Sequence, residues 1–306
     1  MKTFINKASV RGYLFDSSLR DGISKGSGKP YISGSIDVAT DEEALNVVRV
    51  SVFAFDKYNN GNDNPTYQFL TEIMNAAGSD TFQQCGTNCT KVRVDGEIEC
   101  NDYVNRNGDF VESKRIRARF VHPVRAGEAL FIDPKRPATF EADMLIKNYV
   151  EREGSDGEQY IDLNGYVFNY RGDFLPVTFS VYTKAGIAYF EDNGVSPNQP
   201  MLTKVCGVIR TSVVKTQHES AEEMAFGEPV VTQSERSFRV WEVTSAGLAQ
   251  DFGSDDVMTV EDVKAGLAAR EQHIADVKAR AAQRSAAPAA QPKRKAAPIS
   301  DDEILF

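Results

Sequence analysis

The stretch Val47-Val48-Arg49-Val50-Ser51-Val52-Phe53-Ala54-Phe55-Asp56 alternates small apolar side chains with polar and aromatic ones. Because successive side chains of a β-strand point to opposite faces, one face holds four small apolar residues that suit a barrel interior, namely Val48, Val50, Val52 and Ala54. The opposite face carries Arg49, Ser51, Phe53 and Phe55. We interpret that face as a platform for unpaired bases and a phosphate, since stacking on an aromatic ring contributes about 1–3 kcal/mol per base. A face covered by a partner subunit is the alternative interpretation.

Short β-type segments separated by Gly, Asn and Asp clusters lie on both sides of this strand. They cover residues 5–15, 30–40, 46–56, 90–104 and 113–121. A helical segment over Pro65–Ala77 lies between the third and fourth of them and places Phe69, Ile73 and Met74 on one stripe. The order β-β-β-α-β-β is that of the OB-fold, a five-stranded barrel that binds oligonucleotides. We therefore predict an OB-fold DNA-binding domain over residues 1–122.

The second half of the chain repeats the pattern of short strands, over residues 140–150, 159–170, 175–183, 202–216 and 236–244. Each half also contains a β run interrupted by a glycine, Gly96 in the first and Gly207 in the second. Such a glycine is typical of a bend or a close backbone approach in a barrel strand. We predict an internal duplication and an all-β fold with a second OB-like domain over residues 123–245. The candidate stacking residues of this second domain are Tyr160, Tyr166, Phe168 and Tyr170.

The composition changes after residue 245. Residues 246–285 are predicted to be a helical segment, because Val257–Ala282 is rich in Ala, Glu, Lys and Arg, and Thr259 with Asp262 resembles a capping box. Residues 286–306 are predicted to be a disordered linker, rich in Ala, Pro, Lys and Arg, that ends in an acidic and apolar tip. The residues of this tip are Asp301, Asp302, Glu303, Ile304, Leu305 and Phe306.

The segment 113–121 concentrates arginine on one face of a predicted strand. Alternation places Ile116, Ala118 and Phe120 inward and Arg115, Arg117 and Arg119 outward. Neighbouring guanidinium groups repel one another unless a polyanion or acidic neighbours supply the counter-charge. We take a phosphate backbone as that counter-charge. A solvated face paired with Asp and Glu of the adjacent strand is the alternative.

Two weaker features add candidate DNA-binding residues. In the segment 8–15, Arg11, Tyr13 and Phe15 oppose the apolar Val10 and Leu14. The predicted hairpin after residue 103 places Tyr103 and Arg106 close to a turn. We expect all of these side chains to lie on exposed, non-core faces of the first domain.

Composition and motifs restrict the class of protein. The net charge is −9, but residues 1–122 carry 15 Lys+Arg against 16 Asp+Glu, so a basic face is compatible with this near-neutral domain. The chain has no apolar run of membrane-spanning length and its start does not resemble a secretory signal, so we expect a cytoplasmic location and no membrane partner. The sequence has no P-loop of nucleoside triphosphatases and no His-Glu-x-x-His of metalloproteases, and we expect a non-enzymatic protein without cofactors.

The cysteines leave one alternative open. Cys85, Cys89 and Cys100 lie close together in sequence, but a fourth zinc ligand is not obvious. We expect free thiols and no metal site.

Several of these segments resemble the bacterial single-stranded DNA-binding protein family. Asn6-Lys7 followed by Gly12-Tyr13-Leu14 is similar to that family's first strand, and Arg49-Val50-Ser51-Val52-Phe53 to a strand whose last aromatic residue stacks on a base. Val92-Arg93-Val94-Asp95-Gly96-Glu97-Ile98 resembles a later strand, after which Tyr103 falls where the family has a base-stacking tryptophan. The resemblance covers residues 5–121 and implies base stacking by Phe53 and Tyr103 and phosphate binding by Arg49.

The last six residues carry a second resemblance, because the family also ends in an acidic tip with a terminal phenylalanine. This resemblance implies a docking peptide for replication and repair proteins, in which Phe306 enters an apolar pocket and the acids meet a basic rim. At 306 residues the chain exceeds the usual one-barrel length and resembles a divergent, phage-encoded relative that would act in the host cytoplasm.

The sequence therefore predicts a protein that coats and protects single-stranded DNA during replication, recombination or repair. The alternative is a replisome or recombination adaptor whose barrels mainly bind protein, with the helical segment used for assembly. A homodimer and a monomer both fit the sequence.

Overall fold

The computed structural model of the chain describes residues 4–76, 78, 80–125, 127–130, 138–154, 157–196, 199–219, 231–250 and 258–286, with the side chains of 212–219, 231–238 and 284–286 excepted. Within these ranges, ten strands form one hydrogen-bonded sheet that closes on itself twice. Each closure makes one barrel.

The first barrel follows the predicted order. Its elements are β1 (Asn6–Ile23), β2 (Pro30–Ala39), β3 (Val47–Phe55), α1 (Pro65–Asn75), α2 (Phe82–Cys85), a 3-10 turn (Gly86–Asn88), β4 (Lys91–Val104) and β5 (Phe110–Pro123). Helix α1 begins where the Asn64 side chain accepts a hydrogen bond from the Thr66 amide (3.1 Å), with a proline at the first helical position. Its predicted stripe packs on the barrel, with Phe69 and Ile73 buried.

Strand pairing closes this barrel. β1 pairs with both β2 and β4, and β3 pairs with β5 in parallel at Val50–Ile116 and Ser51–Arg117. The face of β3 that alternation directs inward is buried. Val48 and Val50 are fully inaccessible to solvent, and Val52 and Ala54 on the same face are nearly so. This closed arrangement of five strands is the OB-fold.

The second barrel repeats the arrangement with β6 (Ala138–Glu153), β7 (Gln159–Phe168), β8 (Phe174–Val181), α3 (Lys184–Asp192), β9 (Met201–Glu219) and β10 (Val231–Ala246). β6 pairs with β7 and β9, and β8 meets β10 in parallel at Ser180–Glu242. Helix α3, which the sequence analysis did not predict, occupies the chain position of α1. The predicted fold class, an all-β protein with two OB barrels followed by a helix, is confirmed.

Gly96 and Gly207 occupy equivalent positions in the two barrels. A Cβ atom at Gly96 would overlap the carbonyl oxygen of Arg117 on β5, and one at Gly207 would overlap that of Glu242 on β10. The close backbone approach predicted for both glycines is therefore present, and it fixes a residue-by-residue correspondence between the barrels. Arg117 corresponds to Glu242, and through the parallel pairings Ser51 corresponds to Ser180.

The two barrels are joined by strand pairing. β1 and β6 run antiparallel, with Asn6 opposite Ala142, Ala8 opposite Phe140, and Val10 opposite Ala138. Ala8 pairs with Gly96 in the first barrel, and Phe140 pairs with Gly207 in the second, so Ala8 and Phe140 are equivalent residues. Because these two equivalent residues lie opposite each other, the pairing of β1 with β6 is symmetric about a local twofold axis. The barrels therefore contact each other as two copies of one domain would.

Long hairpins extend this contact. The thiol of Cys100 on β4 donates to the carbonyl oxygen of Pro176 (3.2 Å), and the ammonium group of Lys114 on β5 donates to that of Thr178. The Lys114 nitrogen also lies 4.8 Å from the ring centroids of both Phe179 and Trp241.

The C-terminal helix α4 (Val260–Ala286) packs on both barrels. It begins with the predicted capping box, in which the Thr259 amide donates to Asp262 and the Asp262 amide donates to the Thr259 hydroxyl (both 3.0 Å). Val263 and Leu267 pack against a buried cluster that includes Phe168 and Phe174. Within the described part of the chain, no helix combines the length and apolar character that crossing a membrane requires.

Candidate nucleic-acid interface

Three aromatic rings form a cluster on the outer face of β2 and β3. The Phe53 ring stacks on Tyr31 (centroids 5.3 Å apart) and meets Phe55 edge to face (5.1 Å). Phe53 is 44% exposed, although a phenylalanine gains nothing from contact with water. Alternation along β3 predicted the outward direction of Phe53 and Phe55. Tyr31 lies on β2, opposite Phe55, and the sequence analysis missed it because its neighbours carry no comparable pattern.

Arg49 continues this face beyond the rings. Its guanidinium donates two hydrogen bonds to Asp37 on β2 (2.8 and 2.6 Å), and this hydrogen bonding raises the pKa of Arg49. The side chain is 63% exposed, so its remaining donors face solvent. Arg239 of the second barrel donates to the carbonyl oxygen of Val47 (3.3 Å) and brings a second guanidinium to this end of the face.

The outward arginines of β5 are paired with glutamates of β4. Arg115 and Arg117 both contact Glu99 (2.7 and 3.0 Å), and Arg119 contacts Glu97. The alternative in which acidic neighbours supply the counter-charge is therefore the observed one. All three arginines nevertheless stay partly exposed, at 38%, 46% and 50%. They border the aromatic cluster, because β5 pairs with β3.

Phe120 was expected inside the barrel, and this prediction is wrong. The pairing of β4 and β5 shifts by one residue between Asp95 and Gly96, so that Asp95 faces Phe120 and Gly96 faces Ala118. This bulge turns both Arg119 and Phe120 outward. Phe120 is 44% exposed and stacks on His122 (centroids 6.0 Å apart). Burial and the charge of Arg93 lower the pKa of His122.

Arg11 and Tyr13 point outward from β1 but do not lie on an exposed face, which corrects the expectation for both. Tyr13 is 5% exposed because α2 covers it, with the Phe82 ring 5.5 Å away. The Arg11 side chain is 16% exposed and contacts Glu128 (3.2 Å) in the connection between the barrels. Alternation gave the correct direction of both side chains but could not show which later segments would cover them.

The β4–β5 hairpin carries Tyr103 and Arg106 near its tip. Asn105 forms the turn, since its side-chain oxygen accepts the amides of Asn107 and Asp109 (both 2.9 Å). Tyr103 is 43% exposed, and Arg106 is exposed and forms no ion pair with a described acidic residue. Both lie closer to the β4–β5 turn than Arg115, Arg117 and Arg119 of β5 do.

Three cations near the β1–β2 turn were not predicted. Arg20 lies on β1 opposite Ser33, and Lys25 and Lys29 lie in the turn itself. None of the three forms an ion pair within the described residues, and Arg20 and Lys25 are exposed. The β1–β2 and β4–β5 loops border the ligand face of OB-folds, so loop position was the signal that could have identified them.

The second barrel carries an aromatic pair on its corresponding face. Since Ser180 corresponds to Ser51, Tyr182 corresponds to Phe53, and the Tyr182 ring stacks on Tyr160 (centroids 4.7 Å apart). Arg210 lies over the Tyr182 ring (5.1 Å) and pairs with Glu242 (2.6 Å). Arg210 on β9 corresponds to Glu99 on β4, and Glu242 on β10 corresponds to Arg117 on β5. Both barrels therefore have an ion pair at this position, with the acidic and basic residues exchanged between the two strands.

The other aromatic candidates of the second barrel differ in exposure. Phe168 is fully buried, and Tyr166 packs against Phe174 beneath α4. Tyr170 is 68% exposed, in the β7–β8 turn beside Arg171. Tyr160 alone among these four candidates belongs to the outer aromatic pair.

The described cysteines form no disulfide with one another and lie in different surroundings. Cys85 is exposed, whereas Cys89 is buried beside Tyr13 and Cys100 lies at the contact between the barrels. Burial raises the pKa of Cys89 to about 11 and that of Cys100 to about 12. Within the described ranges, no three His, Cys, Asp or Glu side chains are grouped as a metal site would need. The predicted docking tip, residues 301–306, lies outside the described residues.

Comparison with known proteins identifies the family. A protein-family model described as YorF matches residues 5–280, which is most of the chain. The chain belongs to the YorF family. No curated protein sequence matches it significantly.

Solved structures of nucleic-acid-binding proteins resemble this YorF-family chain at low identity. A deletion mutant of the single-stranded DNA-binding protein from Thermus aquaticus aligns with a TM-score of 0.49, and the wild-type protein with 0.47, both at 13% identity and over 83% of this chain and 100% of that chain. A replication protein A heterotrimer bound to single-stranded DNA aligns with a TM-score of 0.20 and 9% identity, over 90% of this chain and 70% of that chain. Because these TM-scores and sequence identities are low, the function of the YorF-family chain has to be inferred from the residues on its own surface.

Proposed function

We propose that the protein binds single-stranded DNA on the outer face of its first barrel. The observation that carries this proposal is the partly exposed cluster of Tyr31, Phe53 and Phe55, bordered by the arginines of β3 and β5. Flat rings offer stacking surfaces to any base, and adjacent cations bind the phosphates that connect the bases. Double-stranded DNA hides its base faces, so the same surface discriminates against it.

The ion pairs of the arginines are compatible with phosphate binding. A guanidinium has five N–H donors, and each pair with Glu97, Glu99 or Asp37 uses one or two of them. The carboxylate side chains are only 11–24% exposed and stay paired, whereas the arginine side chains are 38–63% exposed, so their remaining donors can bind a phosphate without displacing the carboxylates. The glutamates also hold the arginines in fixed positions before the DNA arrives. Phosphate binding then weakens as salt concentration rises.

The second barrel contributes a further platform in this proposal. Tyr160, Tyr182 and Arg210 provide stacked rings and a cation at the positions that correspond to the first barrel's platform. A strand long enough to reach both barrels would therefore bind more tightly than a short one. This arrangement suits a protein that coats and protects single strands during replication, recombination or repair.

Recruitment of partner proteins is assigned to the C-terminal tip. The apolar Ile304, Leu305 and Phe306 follow three acidic residues, a pattern suited to an apolar pocket with a basic rim. Deleting residues 301–306 should leave DNA affinity unchanged or higher and abolish partner binding. The adaptor alternative is less well supported, since the apolar positions Val263 and Leu267 of α4 already pack on the barrels.

The test is a titration of a labelled oligo-dT with the full chain, followed by fluorescence anisotropy at two salt concentrations. Phe53→Ala should weaken binding by about 1–3 kcal/mol. Because the ring also contacts Tyr31 and Phe55, the binding is measured well below the thermal unfolding midpoint of the variant. Tyr170→Ala, which removes an exposed ring outside the platform (68% exposed, against 44% for Phe53), is the control. Equal affinity of wild-type protein and Phe53→Ala, or preference for duplex DNA, would refute the proposal.

A further inference from the structure

A groove of about 440 Å³ lies where the two barrels join. Its floor is a row of residues aligned across four strands by their pairing, Gly96, Ala8, Phe140 and Gly207. The side chains of Ala8 and Phe140 are buried, and the two glycines have none. The floor is therefore mostly backbone, which lets a flat ligand approach closely.

An exposed ring and two cations line the groove. The bulge in β5 turns Arg119 and Phe120 toward the groove, and Lys7 of β1 also lines it. Lys7 is exposed and forms no ion pair with the described residues. His122 stacks on the Phe120 ring, which stays 44% exposed and so offers surface for stacking of a base.

The carboxylates of the groove are already neutralised by neighbours. Asp95 accepts a hydrogen bond from the Ser9 hydroxyl (3.3 Å) and pairs with Arg93 (3.1 Å). Glu141 pairs with Lys204 (3.1 Å), a contact that raises the pKa of this lysine. The two lining cations are Arg119, which is held by Glu97, and Lys7, which forms no ion pair with the described residues and therefore keeps its charge available for a phosphate.

The groove is continuous with the first barrel's platform. Arg119 and Phe120 follow directly on Arg117, which lies beside Ser51 on the strand that carries Phe53. On its other side the groove is lined by Glu141 of β6 and Cys206 of β9, both in the second barrel. A strand that runs from one barrel to the other along this sheet has to cross it.

We propose that this groove is a nucleotide-binding site at which a single strand passes from the first barrel to the second. The base stacks on Phe120, and the adjoining phosphate lies between Lys7 and Arg119. This inference rests on the proposed function and names a contact zone that neither platform includes. It requires an oligonucleotide longer than the first platform alone can bind.

The test compares oligo-dT of about 8 nucleotides with oligo-dT of about 30, because one OB barrel covers roughly 4–16 nucleotides. Phe120→Ala should weaken binding of the long oligonucleotide roughly 5- to 150-fold, the loss typical of one stacked base, and leave the short one unchanged. Phe120→Trp should restore affinity. Its fluorescence should be quenched by the long oligonucleotide, against the background of Trp241, which is 4% exposed.

Lys7→Ala supplies an independent measurement. Loss of one phosphate contact should lower the slope of log affinity against log salt by about 0.7 for the long oligonucleotide, whereas Lys147→Ala, an exposed lysine outside the groove, should not. Unchanged affinity of Phe120→Ala for the long oligonucleotide, or an equal loss on both lengths, would overturn the proposal. If wild-type protein binds neither length, the proposed function itself fails, and that result is recognisably different.

Discussion

Arg270 of α4 donates hydrogen bonds to both carboxylate oxygens of Asp102 on β4, 168 positions earlier in the chain. The two side chains are 9% and 3% exposed, and Arg270 also contacts Glu112 on β5 (2.8 Å). Burial acts to lower the pKa of Arg270, but the hydrogen bonds to both carboxylates outweigh it and raise the pKa. This buried ion pair fixes the C-terminal helix on the β4–β5 hairpin.

Removal of that cation should destabilise the fold. Arg270→Met removes both guanidinium hydrogen bonds from the buried Asp102 carboxylate and leaves it the contact with His273 (3.2 Å). Breaking a buried pair costs about 3–5 kcal/mol. The measurement is the free energy of unfolding from urea titrations. Arg280→Met, an exposed arginine on the same helix, should change it by less than about 0.5 kcal/mol. Equal effects of the two variants would show that the ion pair does not hold the helix.

Lys114 should make stability depend on pH. Burial lowers its pKa to about 7, from an ordinary value of 10.5. Between those values the unfolded chain holds a proton that the folded chain lacks, so the free energy of unfolding rises with pH, by up to about 1.4 kcal/mol per unit. Below about pH 7 both states are protonated and this contribution stays constant at its least favourable value.

Lys114→Met tests this dependence, since it keeps an unbranched side chain beside Phe179 and Trp241 and removes the charge. The variant should unfold at higher urea concentration than wild-type protein at pH 7, and the difference should shrink as pH rises toward 10. Lys147→Met, an exposed lysine, is the control. A difference between Lys114→Met and wild-type protein that is independent of pH would contradict the prediction.

The elements of the fold follow from the sequence because each depends on local patterns. The alternation in β3, the stripe of α1 and the capping box of α4 involve residues a few positions apart, and all three form as predicted. Helix α3 was missed because Lys184–Asp192 is short and has Phe190 as its one buried residue. The pairing of β1 with β6 was not predictable, since a strand's edge carries no sequence signature of its partner.

The candidate site was predicted less completely, because exposure depends on distant segments. Phe53 and the β5 arginines lie outward as alternation requires, but Tyr13 is covered by α2, and a bulge reverses Phe120. A single extra residue in one strand changes the face of every side chain after it. Alternation therefore predicts the correct face for the β5 residues before the bulge and the wrong face for Phe120 after it.

Thiol reactivity should separate the cysteines. The pKa of Cys89 is raised to about 11 and that of Cys100 to about 12, chiefly by burial, so neither forms the reactive thiolate near pH 7. Cys85 is exposed. A maleimide reagent at pH 7 should label Cys85 in the folded protein, and Cys89 and Cys100 only after unfolding in urea, as mass spectrometry of peptides would show. Labelling of Cys100 as fast as Cys85 would show that the contact between the barrels opens.

Gly207→Ala should destabilise the second barrel. The added Cβ would overlap both the backbone carbonyl oxygen of Glu242 and the Phe140 ring. Because a backbone oxygen in a paired strand cannot rotate away, relief requires a shift of β9 against β10, and such overpacking typically costs about 1–3 kcal/mol.

The measurement is the urea midpoint at constant m-value. Gly26→Ala, where an added Cβ meets nothing within 4 Å, is the matched control and should be neutral or slightly stabilising. A Gly207→Ala variant as stable as Gly26→Ala would mean that the two strands are not in close contact at this point, and the correspondence of Gly207 with Gly96 would lose its physical basis.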